Sequence, residues 1–99
     1  DIALYKWFRS APETRVTIGK SVDCAIHMSW DLSSDIAPVQ AYVSIKHGHA
    51  TITAIEEGVR LGNSKELKPD SSKHLHHGDS FTIGNTKYTY IEKDIHTVH

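Results

Sequence analysis

Short runs of β-branched and aromatic residues, separated by Gly, Pro, Asn and Asp, recur along the whole chain. In one run Ala41, Val43 and Ile45 alternate with polar neighbours, and in the next Ile52 and Ala54 alternate with threonines. A period of two predicts strands that bury one face. The predicted strands cover residues 2–8, 15–19, 24–28, 40–47, 49–56, 59–62, 79–84 and 86–93.

Turn signals between these runs predict the connections. His47-Gly48-His49 and Gly84-Asn85 are short enough to be hairpin turns. No segment carries a convincing helical period. Short strands with a turn about every 8–12 residues predict an all-β fold, a two-sheet antiparallel β-sandwich. Two longer pieces, 29–38 and 62–73, are predicted to be irregular, and such loops are usually functional or disordered.

Length and charge narrow the function. The 99 residues suffice for one domain, and the formal net charge of −1 lacks the basic surplus of a nucleic-acid-binding protein. No apolar run is long enough to span a bilayer, so we expect no membrane contact by this domain. We expect residues 1–95 to form the domain and 96–99 a flexible tail. Because the chain begins with Asp, we expect a module of a longer protein, cytoplasmic or the cytoplasmic part of a membrane-anchored one.

The tripeptide Gly19-Lys20-Ser21 is similar to the end of a nucleotide-binding P-loop. That motif requires a glycine five residues before the second one, and the chain has Thr14 there. It also requires a following helix, whereas the residues after Ser21 predict a turn and a strand. The nucleotide-binding interpretation therefore fails on spacing and on context.

Two stretches, "TIGKSVDCAIHM" at 17–28 and "LHHGDSFTIGNTKYTYIE" at 75–92, resemble the forkhead-associated (FHA) domain family. In that family a strand ends in Ile-Gly-Arg-Ser before an Asp/Asn-Cys-Asp-Ile turn, and the closing strands read Leu-x-x-Gly-Asp-x-Ile-x-Ile-Gly. The resemblance covers residues 2–93. It implies a SMAD/FHA-like sandwich that acts by binding phosphothreonine peptides.

The chain departs from the family where phosphate would bind. The resemblance implies that Lys20 replaces a phosphate-binding Arg, Ala37 a phosphate-binding Ser, and Gln40 a His that braces the site. Alanine has no hydroxyl to donate. The family's Thr-Asn-Gly loop, whose Asn holds the peptide backbone, is replaced by a turn with Glu56-Glu57 before Gly58. Two carboxylates there would repel a phosphate.

Three functions remain open. The chain is a phosphate-independent protein-interaction module, a weak or altered phosphothreonine-binding module that uses Lys20 and loop donors, or a structural module that oligomerises through sheet edges. The third resembles the FHA-like domains of bacterial secretion-apparatus ring proteins, and the oligomeric state is left open. The expected partner is a protein or phosphoprotein. The candidate binding residues are Lys20, Ser21, Ser33, Ser34, Ala37, Gln40, Glu57, Arg60 and Asn63.

No cofactor, metal site or enzymatic activity is predicted. His74 and His76 would share a strand face, but no Cys pair or carboxylate spacing completes a zinc ligand set. No Gly-x-Ser-x-Gly motif is present. The single cysteine, Cys24, is expected to be a buried small hydrophobe. Trp30, in the 29–38 piece, is either a partner contact or an anchor for its own loop.

Overall fold

The computed structural model describes residues 2–5, 13–46 and 48–92, and this part of the chain contains ten short strands. The strands are β1 (Ile2–Tyr5), β2 (Glu13–Gly19), β3 (Ile26–His27), β4 (Ala41–Lys46), β5 (His49–Ala54), β6 (Val59–Leu61), β7 (Glu66–Leu67), β8 (Ser72–Leu75), β9 (Ser80–Ile83) and β10 (Thr86–Ile91). None of these residues forms a helix that could cross a membrane.

The strands form two five-stranded sheets, which confirms the predicted all-β sandwich. The first sheet has the order β1-β10-β9-β6-β7, and the second has the order β3-β2-β4-β5-β8. Most neighbouring strands are antiparallel, but β1 pairs with β10 and β2 pairs with β3 in parallel. The alternation of apolar residues along a strand shows which face is buried. It does not show whether the neighbouring strand runs parallel or antiparallel, so the sequence could not predict these two parallel pairings.

The predicted alternation places the core between the sheets. Ala41, Val43 and Ile45 of β4 are buried, whereas the intervening residues are partly or fully exposed. On the facing sheet, Phe81 and Tyr88 are cross-strand partners that stack with their ring centroids 5.1 Å apart. Aromatic pairs in this geometry add to the stabilisation that burial itself provides.

The strand pairings agree with both predicted hairpin turns, and His47 of the first turn lies outside the described residues. Lys46 pairs with His49, and Ile83 pairs with Thr86. Gly84 has a φ of 62°, a backbone conformation that glycine adopts at no steric cost. The β9–β10 turn is important for the site because the longest loop of the described chain packs against it.

The prediction that residues 62–73 are irregular is wrong. This piece contains β7 and the first residues of β8. Leu67 is the single buried residue of β7, and the three residues before Leu75 in β8, at the edge of its sheet, are exposed. Sequences with so few buried positions lack the alternation by which strands are recognised. In the predicted 24–28 run, only Ile26–His27 is strand.

Several other predictions fall partly outside the described residues. These are the ends of the predicted strands at 6–8, 47 and 93, the domain limit at 95 and the tail at 96–99. The irregular piece at 29–38 lies between β3 and β4 as predicted. Residues 28–40 are called the 28–40 loop below.

Candidate functional site

Gln40 holds the end of the 28–40 loop against the turn that follows β5. Its side chain is 1% exposed. The Oε1 atom accepts a hydrogen bond from the Ala37 N–H at 2.8 Å, and Nε2 donates to the carbonyls of Glu56 and Glu57 at 3.2 and 2.5 Å. Gln40 therefore joins the 28–40 loop to the turn after β5. A neutral amide supplies here both the acceptor and the donors that the two loops need.

The same end of the loop is also bound to β2 through backbone groups. The N–H groups of Lys20 and Ser21 donate to the carbonyls of Ala37 and Pro38 at 3.1 and 2.9 Å. Gly19 has no room for a side chain, because a Cβ atom there would overlap the Pro38 carbonyl and lie 2.9 Å from the Val39 Cα. These contacts and those of Gln40 are together called the Gln40 attachment.

A second group of contacts, the Asp31 attachment, fixes the middle of the loop to the β9–β10 turn. The buried Asp31 carboxylate accepts hydrogen bonds from the Ser33 N–H (2.9 Å), the Asn85 N–H (2.8 Å) and the Thr86 hydroxyl (2.7 Å). The indole N–H of Trp30 donates to Thr86 Oγ1 at 2.9 Å. One carboxylate thus joins two segments more than fifty residues apart.

Hydrogen bonding keeps Asp31 ionised. The backbone N–H of Ser33, followed by the Thr86 hydroxyl, lowers the pKa of Asp31 well below its ordinary value of 3.8, and this outweighs the opposing effect of burial. The carboxylate in turn affects Tyr88. Burial, and then the negative charge of Asp31, raises the pKa of the Tyr88 hydroxyl far above its ordinary value. The attachment carries a full negative charge throughout the physiological range.

The Lys20 side chain also takes part in holding the loop. Its ammonium group donates a hydrogen bond to the Asp31 backbone carbonyl. Lys20 is partly buried and does not line the neighbouring cleft. The cation that the sequence places at the family's phosphate-binding position therefore has an acceptor within its own chain.

A cleft of about 330 Å³ lies between the two attachments. Of the candidate residues, Ser33, Gln40 and Arg60 line it. Two carboxylates that the sequence analysis did not single out, Asp35 and Glu66, line it as well. Glu66 is the cross-strand neighbour of Arg60. Among the described residues, the ionisable side chains lining this cleft therefore have a formal charge of −1, from two carboxylates and one guanidinium.

The other candidate residues lie around the cleft or away from it. The Ser21 hydroxyl accepts from the Asp23 N–H at 3.1 Å, and the Asn63 side chain accepts from the Lys65 N–H at 3.1 Å, so both support their own turns. Ser34 is exposed and its hydroxyl contacts Asp35. Glu57 takes part through its carbonyl, while its side chain is exposed.

Four histidines cluster at the opposite end of the strands. His49, His74, His76 and His77 line a hollow of about 310 Å³. The Glu92 N–H donates to Nδ1 of His77 at 3.0 Å, which commits that nitrogen as an acceptor. Within residues 2–5, 13–46 and 48–92, no three His, Cys, Asp or Glu side chains are grouped as metal ligands would be.

The structure also places Cys24 and Trp30, for which the sequence made predictions. Cys24 is buried, as predicted, and its thiol lies 3.1 Å from the Pro38 carbonyl, which places it under the Gln40 attachment. The indole N–H of Trp30 is anchored on Thr86 Oγ1 while its side chain is 49% exposed, and contact with a partner stays a prediction.

Sequence reasoning missed the roles of Asp31, Asp35, Glu66 and Asn85. A local signal existed for Asp31, since Asp followed two residues later by Ser33 is typical of an Asx turn, in which the carboxylate accepts from the N–H two residues on. The contact with Asn85 has no signal in the sequence because the two residues are 54 positions apart.

Comparison with known proteins identifies the fold as FHA-like. No family model and no curated protein sequence matches the chain. Among solved structures, the N-terminal FHA domain of Rad53p from S. cerevisiae, determined in complex with a phosphothreonine peptide, aligns with a TM-score of 0.64 and 20% identity. The alignment covers 77% of this chain and 61% of that one.

A refined NMR structure of the FHA1 domain of yeast Rad53 gives a similar result. Its TM-score is 0.63 at 20% identity, and the alignment covers 77% of this chain and 50% of that one. The fold expected from the residues of β2 and of β9–β10 is therefore confirmed. At this identity the likeness concerns the fold, and what the chain binds has to be argued from its own residues.

Proposed function

We propose that the chain is a non-catalytic protein-interaction module whose binding does not require a phosphate on its partner. The observation that carries this proposal is the position of Lys20. Its ammonium group donates to the Asp31 carbonyl, and its side chain does not line the cleft. A phosphate bound in the cleft would contact Lys20 only if the lysine side chain moved, because Lys20 does not line the cleft.

The chemistry of the cleft supports the same proposal. Ala37, at the position where the family resemblance implies a serine, has no hydroxyl, and its N–H is already donated to Gln40. Asp35 and Glu66 line the cleft, and Glu57 is exposed next to Gly58 at its edge. A phosphothreonine carries about −1.5 to −2 charges at neutral pH, so these carboxylates oppose its binding.

Arg60 is the feature that favours the alternative. It is the one cation among the described residues lining the cleft, and Ser33 lies in the same cleft. A guanidinium can hold phosphate through two hydrogen bonds. Its cross-strand neighbour Glu66 offsets this charge, which is why we place phosphopeptide binding second.

The test is a comparison of two peptide libraries that differ only in carrying threonine or phosphothreonine at one fixed position. We expect the affinities for matched peptides to differ by less than about threefold. A phosphate-dependent gain of about tenfold or more, corresponding to 1.4 kcal/mol, that disappears in Lys20→Ala or Arg60→Ala would overturn the proposal. Lys73→Ala, which removes an exposed charge from β8, is the matched control.

A further inference from the structure

In the 28–40 loop a charged side chain is buried and its apolar neighbours are exposed, which is the reverse of the usual arrangement. Asp31 is 4% exposed, whereas its neighbours Trp30 and Leu32 are 49% and 90% exposed. With Val22, these two are the large hydrophobic residues most exposed to solvent within the described chain. Single exposed apolar residues are common, but a large aromatic side chain presented next to a cleft is typical of an interaction surface.

The indole of Trp30 is held in its exposed position. Its N–H donates to Thr86 Oγ1, and the same hydroxyl donates to the ionised Asp31. A side chain fixed in this way loses little conformational freedom when a partner packs on it, and that freedom is one of the costs of binding. The Asp31 attachment therefore presents the ring as a preformed platform.

The platform adjoins a shallow hollow next to the cleft. Ile2, Trp30, Asn85 and Thr86 line this open hollow, which has a volume of about 390 Å³. Asn85 lines both the hollow and the cleft, so the two lie side by side. The surface formed by the hollow, Asn85 and the cleft is called the Trp30 surface.

The two parts of the Trp30 surface differ in chemistry. The described side chains that line the hollow are uncharged, with Trp30 and Ile2 contributing apolar area. Those that line the cleft have a formal charge of −1, with Asp35 and Glu66 against Arg60. A complementary ligand is therefore apolar at one position and positively charged at a nearby one.

We propose that the Trp30 surface binds an unphosphorylated peptide segment of a partner protein, with an aromatic or aliphatic side chain in the hollow and a lysine or arginine in the cleft. This inference rests on the proposed function and makes it specific, because it predicts a positively charged residue in the partner peptide where a phosphopeptide would carry negative charge. Asn85 lies between the two subsites, so the apolar and the basic side chain of the peptide bind on opposite sides of it.

The experiment selects binders from a random, unphosphorylated peptide library displayed on phage, and measures one enriched peptide by calorimetry. We expect the enriched peptides to combine one large apolar residue with a nearby lysine or arginine. Trp30→Ala is expected to weaken binding at least tenfold, about 1.4 kcal/mol. Asn85→Arg, which places a cation between the subsites, is expected to weaken it to a similar degree even if Trp30→Ala folds poorly.

The controls separate this inference from the proposed function. Val22→Ala removes an equally apolar exposed side chain that lines neither the hollow nor the cleft, and should leave affinity unchanged. The double variant Asp35→Asn/Glu66→Gln should weaken binding about fivefold and flatten its dependence on salt. Unphosphorylated peptides that bind Trp30→Ala and Asn85→Arg as tightly as the native chain overturn the inference and leave the proposed function standing.

Two further outcomes also overturn the inference. One is an acidic consensus among the enriched peptides, and the other is a library that yields no peptide above background. A requirement for phosphothreonine, measured with the matched libraries above, would overturn the proposed function itself.

Discussion

The 28–40 loop is fixed to the sandwich at two places that use different chemistry for the same task. The Gln40 attachment relies on a neutral amide and on backbone groups packed against Gly19. The Asp31 attachment relies on an ionised carboxylate that accepts three hydrogen bonds. The first does not depend on pH and has backbone atoms packed against Gly19, whereas the second depends on charge and has side chains packed against Gly84.

The two attachments also differ in what they leave exposed. Gln40 is buried, and within the described chain its side chain bonds only to backbone groups that hold the 28–40 loop in place. Asp31 is enclosed as well, but it holds Trp30 at the surface beside a hollow. Both attachments hold the loop, but only the Asp31 attachment also positions Trp30, the residue proposed to contact a partner.

The largest expected effect comes from adding one methyl group at each attachment, at Gly19 and at Gly84. Gly19→Ala should destabilise the chain by about 3 kcal/mol or more, because the new Cβ overlaps backbone atoms of Pro38 and Val39, which cannot move aside locally. Gly84→Ala should cost less, about 1–2 kcal/mol from its φ of 62° and a further amount from moving the Ile36 side chain and the Asp31 carboxylate, which the new Cβ approaches to 2.7 and 2.8 Å. Urea unfolding measures both, and equal losses would contradict the distinction.

A smaller loss is expected from Gln40→Leu. The variant keeps the volume but removes the acceptor for the Ala37 N–H and the donors to the Glu56 and Glu57 carbonyls. Part of this loss is offset by water, since both glutamates are exposed, so we expect a decrease of about 2 kcal/mol in the free energy of unfolding. Ser34→Ala, on the exposed part of the same loop, is the control and should change stability by less than about 0.5 kcal/mol.

The Asp31 attachment should be distinguished by its pH dependence. Because the folded-state pKa of Asp31 lies well below 3.8, its stabilisation is present above the unfolded-state pKa and is lost as the pH falls below about 4. Asp31→Asn should therefore lower Tm near pH 7, and its difference from the native chain should shrink as the pH is lowered from about 5 to 2.

Thermal unfolding followed by circular dichroism across this pH range measures the effect. Asp23→Asn makes the same change of charge in an exposed turn and provides the control. A Tm difference for Asp31→Asn that stays constant with pH would show that the carboxylate acts only through its shape. Gln40→Leu, by comparison, should give a difference that does not change with pH.

The smallest effect has the opposite sign. The Tyr88 hydroxyl, near Asp31, is buried and lacks a hydrogen-bond partner within the described residues. Tyr88→Phe removes this group while keeping the ring that stacks on Phe81, so stability should be unchanged or higher by up to about 1 kcal/mol. A clear destabilisation in urea unfolding would mean that the hydroxyl has a partner in solution.

These two attachments also show how far the sequence leads. The alternation in β4 and β5 predicts both strands because each buries every second residue. Gln40 could be found because the FHA resemblance assigns a bracing role to its position. Asp31 could be recognised only as a local turn residue, since its partners Asn85 and Thr86 are adjacent to it solely through the packing of the sheets. β7 was missed because its pairing with β6, and not its composition, makes it a strand.

The central claim, that binding does not depend on phosphate, is tested most directly at Lys20. The side chain Nζ resonance of Lys20 and the backbone amides of Lys20, Ser21 and Ser33 are followed by NMR while a short phosphothreonine peptide is added to about 1 mM, a concentration that detects binding as weak as about −4 kcal/mol. The account predicts that the Lys20 resonances and the Ser33 amide show no phosphate-dependent shift, because the Lys20 ammonium group remains on the Asp31 carbonyl and the cleft that Ser33 lines does not bind phosphate. A saturable shift of Lys20 Nζ or of the Ser33 amide that the unphosphorylated peptide does not produce would contradict it.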